Sequence, residues 1–158
     1  MNKIAIIIPS RLGAQRLANK PLKLINNKEM ILHVYEAAIK SKAGDVFVAT
    51  PDQEIIDNVT KYGGQAIKTS DNYETGTDRI FEVFKNILNS EPDLIVNLQG
   101  DMPNIEPQAI SDLVSYMNKK RCDIGTLAGD FRSKTEIHNP NVVKVVVKEK
   151  LSNDMFFN

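Results

Sequence analysis

The sequence predicts an α/β fold, a mostly parallel β-sheet covered by helices on both faces. Short β-rich runs alternate with segments of helical period along the chain. The first run, Ile4 to Ile8, is five apolar residues in succession, as a strand buried on both faces requires. A length of 158 residues gives one domain, 1–158, with enough chain to bury a core.

In order, the strand candidates are "KIAIII" (3–8), "DVFVAT" (45–50), "DLIVNL" (93–98), "DIGTLA" (123–128) and "VVKVVV" (142–147). Helical periodicity runs over 29–41 and over 52–62, where Asp52 can cap and Gly63 can terminate. Over 77–89, Ile80, Phe81, Val83, Phe84, Ile87 and Leu88 form one apolar stripe. Over 107–118 the stripe is Ile110, Leu113, Val114 and Met117, with Pro107 suited to a first helical position. The closing "LSNDMFFN" is either a docking C-terminal segment or a chain cut before its next element.

Composition narrows the function. Twenty basic and twenty acidic residues cancel, so no global field points to nucleic acid or to a membrane surface. Cys122 stands alone, which excludes an internal disulfide and a Cys-rich zinc site and fits a cytoplasmic setting. The apolar run after Lys3 stops at Pro9-Ser10-Arg11, short of the roughly 7–15 residues of a signal h-region. No run approaches the ~18 apolar residues of a membrane span. The sequon Asn58-Val59-Thr60 is read as chance.

In open parallel sheets, ligands bind beyond the carboxyl ends of the strands, and three polar clusters fall there. The first follows strand one: Arg11, Gly13, Arg16 and Lys20. It matches neither GxGxxG nor a Walker loop, yet three cations suit a polyphosphate through charge-assisted bonds of roughly 1.5–3 kcal/mol each. A solvated basic turn is the alternative.

The second cluster is "YETGTDR" (73–79). Thr75 or Thr77 can cap the following helix, and Gly76 lets backbone approach a ligand. Arg79 in the first turn opposes the helix dipole unless an anion is near; a plain helix start is the competing reading. The third is "NLQGDMP" (97–103). There Asp101 follows a flexible Gly100 and can anchor magnesium together with substrate phosphates. A simple turn is again the alternative. His33 is read as packed or at the surface, and His138 as a loop residue. Ser10 sits in no nucleophile elbow and Cys122 has no evident histidine partner.

Taken together, "IIIPSRLGAQRLANKPL", "TGTDR", "NLQGDMP" and "NPNVVKVV" resemble the sequential motifs of the 3-deoxy-manno-octulosonate (KDO) cytidylyltransferases, over Lys3 to about Lys148. The resemblance implies a Rossmann-like nucleotidyltransferase fold. It also implies transfer of CMP from CTP to the sugar acid KDO for lipopolysaccharide synthesis, with release of pyrophosphate. It places Arg11, Gly13, Arg16 and Lys20 at the nucleotide, with Gly76, Arg79 and Gln99. Asp101 becomes the Mg2+ ligand, and Arg11, Lys20 and Asp101 the catalytic set. The implied partners are CTP and KDO, without nucleic acid or membrane, and the complete family chain is a homodimer.

Departures accompany the resemblance. Ala18-Asn19 stands where the family has Pro-Gly, Met102 where it has an acid, and Ala14 where it has a serine. Asn19 is the mildest replacement for a glycine at positive φ. Family chains continue past the "VVKVV" segment into a part that supplies much of the KDO pocket, so the expected object is their nucleotide-binding portion, which by itself is expected to make little or no CMP-KDO. Self-association through an uncovered strand is expected with it. Two other functions stay open. One is a non-catalytic nucleotide-binding fragment. The other is a cytidylyltransferase for another sugar acid such as sialic acid, whose loop usually carries a Gly-Ser-Lys sequence absent here.

Overall fold

The computed structural model describes residues 2–13, 17–120, 122–146, 149–152 and 155–157. They divide into two compact units, Met1–Gly125 and Thr126–Asn158.

The first unit is built on a four-stranded parallel sheet. Its strands are β1 (Ile4–Pro9), β4 (Asp45–Thr50), β5 (Ala66–Lys68) and β6 (Leu94–Asn97), in the order β5-β4-β1-β6. Strand β1 is central, pairing Ile6 with Val46 on one side and with Val96 on the other. That position explains its unbroken apolar run, because alternate side chains enter two different cores. Ile6 and Ile8 join Val46, Val48 and Val96 on one face. Ala5 and Ile7 join Ala49 on the other.

Helices cover both faces, as predicted. Helices α1 (Met30–Ser41), α2 (Gln53–Lys61) and α4 (Pro107–Lys120) supply Ile31, Val34, Ile55, Val59, Ile110 and Val114 to the first core. Helix α3 (Gly76–Glu82) supplies Ile80 to the second, and Val83 follows it there. Gly63 ends α2 at φ 84, with its N–H on Thr60 O and the Gly64 N–H on Val59 O, a Schellman closure. A small hairpin, β2 (Leu24–Ile25) with β3 (Lys28–Glu29), leads into α1. His33 Nε2 lies 2.8 Å from the Ile25 carbonyl, so the imidazole ties that hairpin down.

Three sequence expectations change. The 77–89 stripe is not one α-helix: α3 passes into a π-turn over Val83–Ile87, closed by Leu88 N–H on Val83 O. The wider turn breaks the 3.6-residue period, so Ile80 and Val83 are buried while Phe81 and Ile87 stay exposed. Residues 123–128 form no strand, and Ile124 is 88% exposed. Residues 142–146 form none either, with Val143 and Val146 exposed. Both segments have β-rich composition but no pairing strand among the described residues, and a strand exists only by its ladder. Position 147 lies outside the described residues.

The second unit contains α5 (Lys134–His138) and an antiparallel pair, β7 (Glu149–Ser152) with β8 (Met155–Phe157). The closing "LSNDMFFN" thus contains part of a paired hairpin, with Lys150 opposite Phe156. Among the described residues no helix is long and apolar enough to cross a membrane.

Candidate functional site

The first polar cluster leaves β1 at its carboxyl end. The Ser10 N–H extends the ladder to Ala49 O at 2.9 Å, and Arg11 then turns outward and is exposed. Two residues on, the Leu12 N–H donates to Asp52 Oδ2 at 2.7 Å. Asp52 stands at the N-cap of α2, yet its side chain makes no capping bond there. The expected helix cap instead clamps the opening loop, because Asp52 follows β4, the strand beside β1.

The loop returns through Asn19, whose φ of 54 and ψ of 31 are left-handed, as expected for a residue standing in for glycine. A single 3-10 turn, Lys20–Leu22, follows, with Pro21 buried. This anchors Lys20, whose Nζ donates to Asp101 Oδ2 at 2.7 Å. The third cluster is thereby brought onto the first.

Gly100, beside Asp101, packs against the end of β1. A Cβ there would lie 2.9 Å from the Pro9 carbonyl oxygen. Close approach, rather than the flexibility read from sequence, is what requires glycine, and its φ is not positive. Gln99 Nε2 donates to Asn97 Oδ1 at 2.9 Å.

The second cluster meets Pro9 from the other side, a Cβ on Gly76 lying 3.1 Å from Pro9 Cγ. Thr75, not Thr77, caps α3 by accepting the Asp78 N–H at 3.2 Å. Arg79 is 3% exposed, and its guanidinium donates to Thr69 Oγ1 and, at 2.9 Å, to the Ser70 carbonyl. Tyr73 lies against it, with ring centre and guanidinium carbon 5.9 Å apart. Burial pushes the Arg79 pKa down and nearby Arg11 adds to this, against the opposing pull of Asp52, Glu82 and Asp71. The buried guanidinium is satisfied by two neutral oxygen acceptors, the Thr69 hydroxyl and the Ser70 carbonyl.

The three clusters share one cleft of about 270 Å³, lined by Arg11, Lys20, Gly76, Arg79, Gln99 and Asp101. Gly13 does not line it, and a Cβ at that position would meet nothing within 4 Å. Arg16 lies outside the described residues. The cleft also takes in Pro9, Ser10 and Tyr73, which lie inside the quoted motifs but were given no role at the ligand.

A magnesium ion fits this donor set. No group of three or more His, Cys, Asp or Glu occurs among the described residues. Magnesium needs only one or two carboxylates when phosphate oxygens complete its shell, and Asp101 supplies a half-exposed one.

The cytidylyltransferase family model matches residues 5–157. The 3-deoxy-manno-octulosonate cytidylyltransferase of Thermodesulfovibrio yellowstonii is 43% identical over 146 residues, 89% of this chain and 57% of that protein. The 8-amino-3,8-dideoxy-manno-octulosonate cytidylyltransferase of Shewanella pealeana is 40% identical, over 90% of this chain and 60% of its own length. This chain therefore spans somewhat more than half the length of these relatives. Among solved structures, a CMP:2-keto-3-deoxy-manno-octonic acid synthetase complexed with CTP superposes with a TM-score of 0.71 at 42% identity. That match covers 75% of this chain and 48% of the synthetase. A nucleotidyl transferase from Methanothermobacter, at 14% identity and a TM-score of 0.60, shares the fold. With nearly its whole length matched by the family model, the chain belongs to the cytidylyltransferase family.

Proposed function

We propose that the cleft beyond β1 binds CTP and that the protein transfers CMP to KDO, releasing pyrophosphate. One observation carries the reading. Three segments distant in sequence converge to set Arg11, Lys20, Arg79, Gln99 and Asp101 around a single cleft at the carboxyl end of the sheet.

In this reading Arg11 and Lys20 hold the phosphates, with Arg16 and Gly13 on the same loop. Gly76 and Arg79 shape the nucleotide side, and Gln99 faces the substrates. Asp101 would hold Mg2+, which supplies charge neutralisation at the phosphates when bound. The sugar's anomeric 2-hydroxyl attacks the α-phosphorus in line and pyrophosphate leaves. Charge grows on the α-phosphate oxygens and on the leaving group, where the Arg11 and Lys20 cations stabilise it without a covalent enzyme intermediate. Arg79 acts through position: its bonds to Thr69 and Ser70 hold the segment that enters α3.

The reading carries with it a cytoplasmic role in lipopolysaccharide synthesis and a homodimer for a chain of the relatives' full length. Incubating the protein with CTP, KDO and Mg2+ and resolving the products tests it. CMP-KDO and pyrophosphate in equal amounts support it, and absence of CMP-KDO both from this chain and from one of the relatives' full length rejects it. The relatives named for the 8-amino sugar, at 40% identity, favour one second reading, in which that sugar acid is the better acceptor. The same assay with both acceptors separates the two.

A further inference from the structure

Tyr73 is the only aromatic side chain lining the cleft among the described residues, and the undescribed loop positions Ala14, Gln15 and Arg16 add no ring. The ring is half-buried and backed by a fixed group. The Arg79 guanidinium lies over it, guanidinium carbon and ring centre 5.9 Å apart. That guanidinium is in turn held by the Thr69 hydroxyl and the Ser70 carbonyl, and it is almost wholly buried. One face of Tyr73 is therefore pinned.

The ion pair of the cleft lies elsewhere. Pro9 is met at its carbonyl by Gly100, next to Asp101 and its partner Lys20. It is met at its ring by Gly76, three residues after Tyr73. Arg11 follows on the same loop, and its charge is felt at Arg79. A nucleotide matches this division, with phosphates suited to the ionic side and a flat, neutral base to the aromatic one. From this we infer that the nucleobase stacks on the other face of Tyr73, an inference that rests on the CTP reading. Every base has a π-face, so such a platform adds affinity without choosing cytosine.

The test titrates wild type, Tyr73→Leu and Tyr73→Phe calorimetrically with CTP and with inorganic tripolyphosphate, Mg2+ present and KDO absent. Tyr73→Leu should bind CTP about 5- to 100-fold more weakly, the range for one lost base–aromatic stack. Tyr73→Phe keeps the ring and should stay within about twofold of wild type. Tripolyphosphate should bind all three alike. A ring that only covers Arg79 would lose both ligands equally in Tyr73→Leu, and that result overturns the inference, as does unchanged CTP affinity or a Phe variant as weak as the Leu variant. Proton NMR of wild type gives a reading that needs no Leu variant. The chain has four tyrosines, and the ring signals missing from Tyr73→Phe identify Tyr73. Those signals should move upfield with CTP and stay in place with tripolyphosphate; no movement with CTP overturns the stack. A wild-type chain that binds CTP no better than ATP or GTP defeats the cytidylyl reading and this inference with it. A CTP-selective wild type with an indifferent Tyr73→Leu variant overturns the inference alone.

Discussion

Lys20 Nζ donates to Asp101 Oδ2 at 2.7 Å, across 81 positions of sequence. The pair joins the loop after β1 to the loop after β6, and both groups are partly exposed. Surface ion pairs of this kind contribute little to stability, so its significance lies in the site. In the proposed reading each partner neutralises the other until a ligand arrives, triphosphate then competing for the lysine and a divalent cation for the aspartate.

The two partners should therefore respond oppositely to substitution. Lys20→Ala should weaken CTP binding about 10- to 100-fold, the value of one charge-assisted contact. It should also strengthen Mg2+ binding in the absence of nucleotide, since Asp101 loses its internal competitor. Asp101→Asn should abolish the Mg2+ dependence of CTP binding. In a chain of the relatives' full length, Lys20→Ala should cost roughly 10²–10³ in turnover. Calorimetry with each ligand alone and then together checks the pattern, and parallel losses in both variants would break it.

Asp52 should behave as a positioning residue for the phosphate loop. Asp52→Ala leaves the Leu12 N–H without its acceptor, at a cost of about 1.5–3 kcal/mol. Affinity for CTP should fall with it, because Arg11 loses its anchored neighbour. Asp52→Asn keeps an acceptor oxygen and should recover most of both. Urea denaturation alongside titration reads the two effects, and an Asn variant as damaged as the Ala variant would point to charge instead of geometry.

The two cleft glycines should differ. A methyl at Gly100 meets a backbone oxygen at 2.9 Å, and neither main chain can yield easily. Gly100→Ala should destabilise by about 1–3 kcal/mol, the usual scale of overpacking. At Gly76 the contact is 3.1 Å to a proline ring carbon at the first position of α3, where alanine also favours the helix. Gly76→Ala should stay within about 1 kcal/mol of wild type. Urea midpoints for both variants decide the order.

Away from the cleft, Glu36 has its carboxyl held down to about 2 by the Tyr62 hydroxyl at 2.7 Å first, then by Lys28 and Lys40. The fold thus favours the ionised form. Its contribution is complete above the ordinary value of 4.5 and is lost as pH falls from there toward about 2. Glu36→Gln should lower stability by roughly 1 kcal/mol at pH 7, mostly through the Tyr62 bond. Denaturation midpoints should show the gap to wild type narrowing below about pH 4.5. A gap constant from pH 7 to pH 3 would contradict the assignment.

Much of the sheet was readable in the sequence because β1 and β4 are apolar enough to declare themselves, and Asp45–Thr50 appears as expected. The three-residue β5 was not, since two half-buried residues and an exposed lysine carry no period. Composition misled at 123–128 and 142–146, where β-branched residues have no strand to pair with among the described residues. Within the site, charged residues on post-strand loops were legible because strand polarity dictates where loops gather. The Asp52–Leu12 clamp was not, as an N-cap aspartate looks the same whether it serves its own helix or a neighbouring loop. Ser10 gave no signal either, since burial of a hydroxyl is a property of packing.

Whether the cleft is a CTP site is tested most directly by titrating the 158-residue protein with CTP, ATP and GTP in the presence of Mg2+. Saturable one-to-one binding of CTP, tighter than that of either purine triphosphate and lost on removal of Lys20, is the predicted result. Equal affinity for all three triphosphates, or CTP binding that survives Lys20→Ala unchanged, would contradict it.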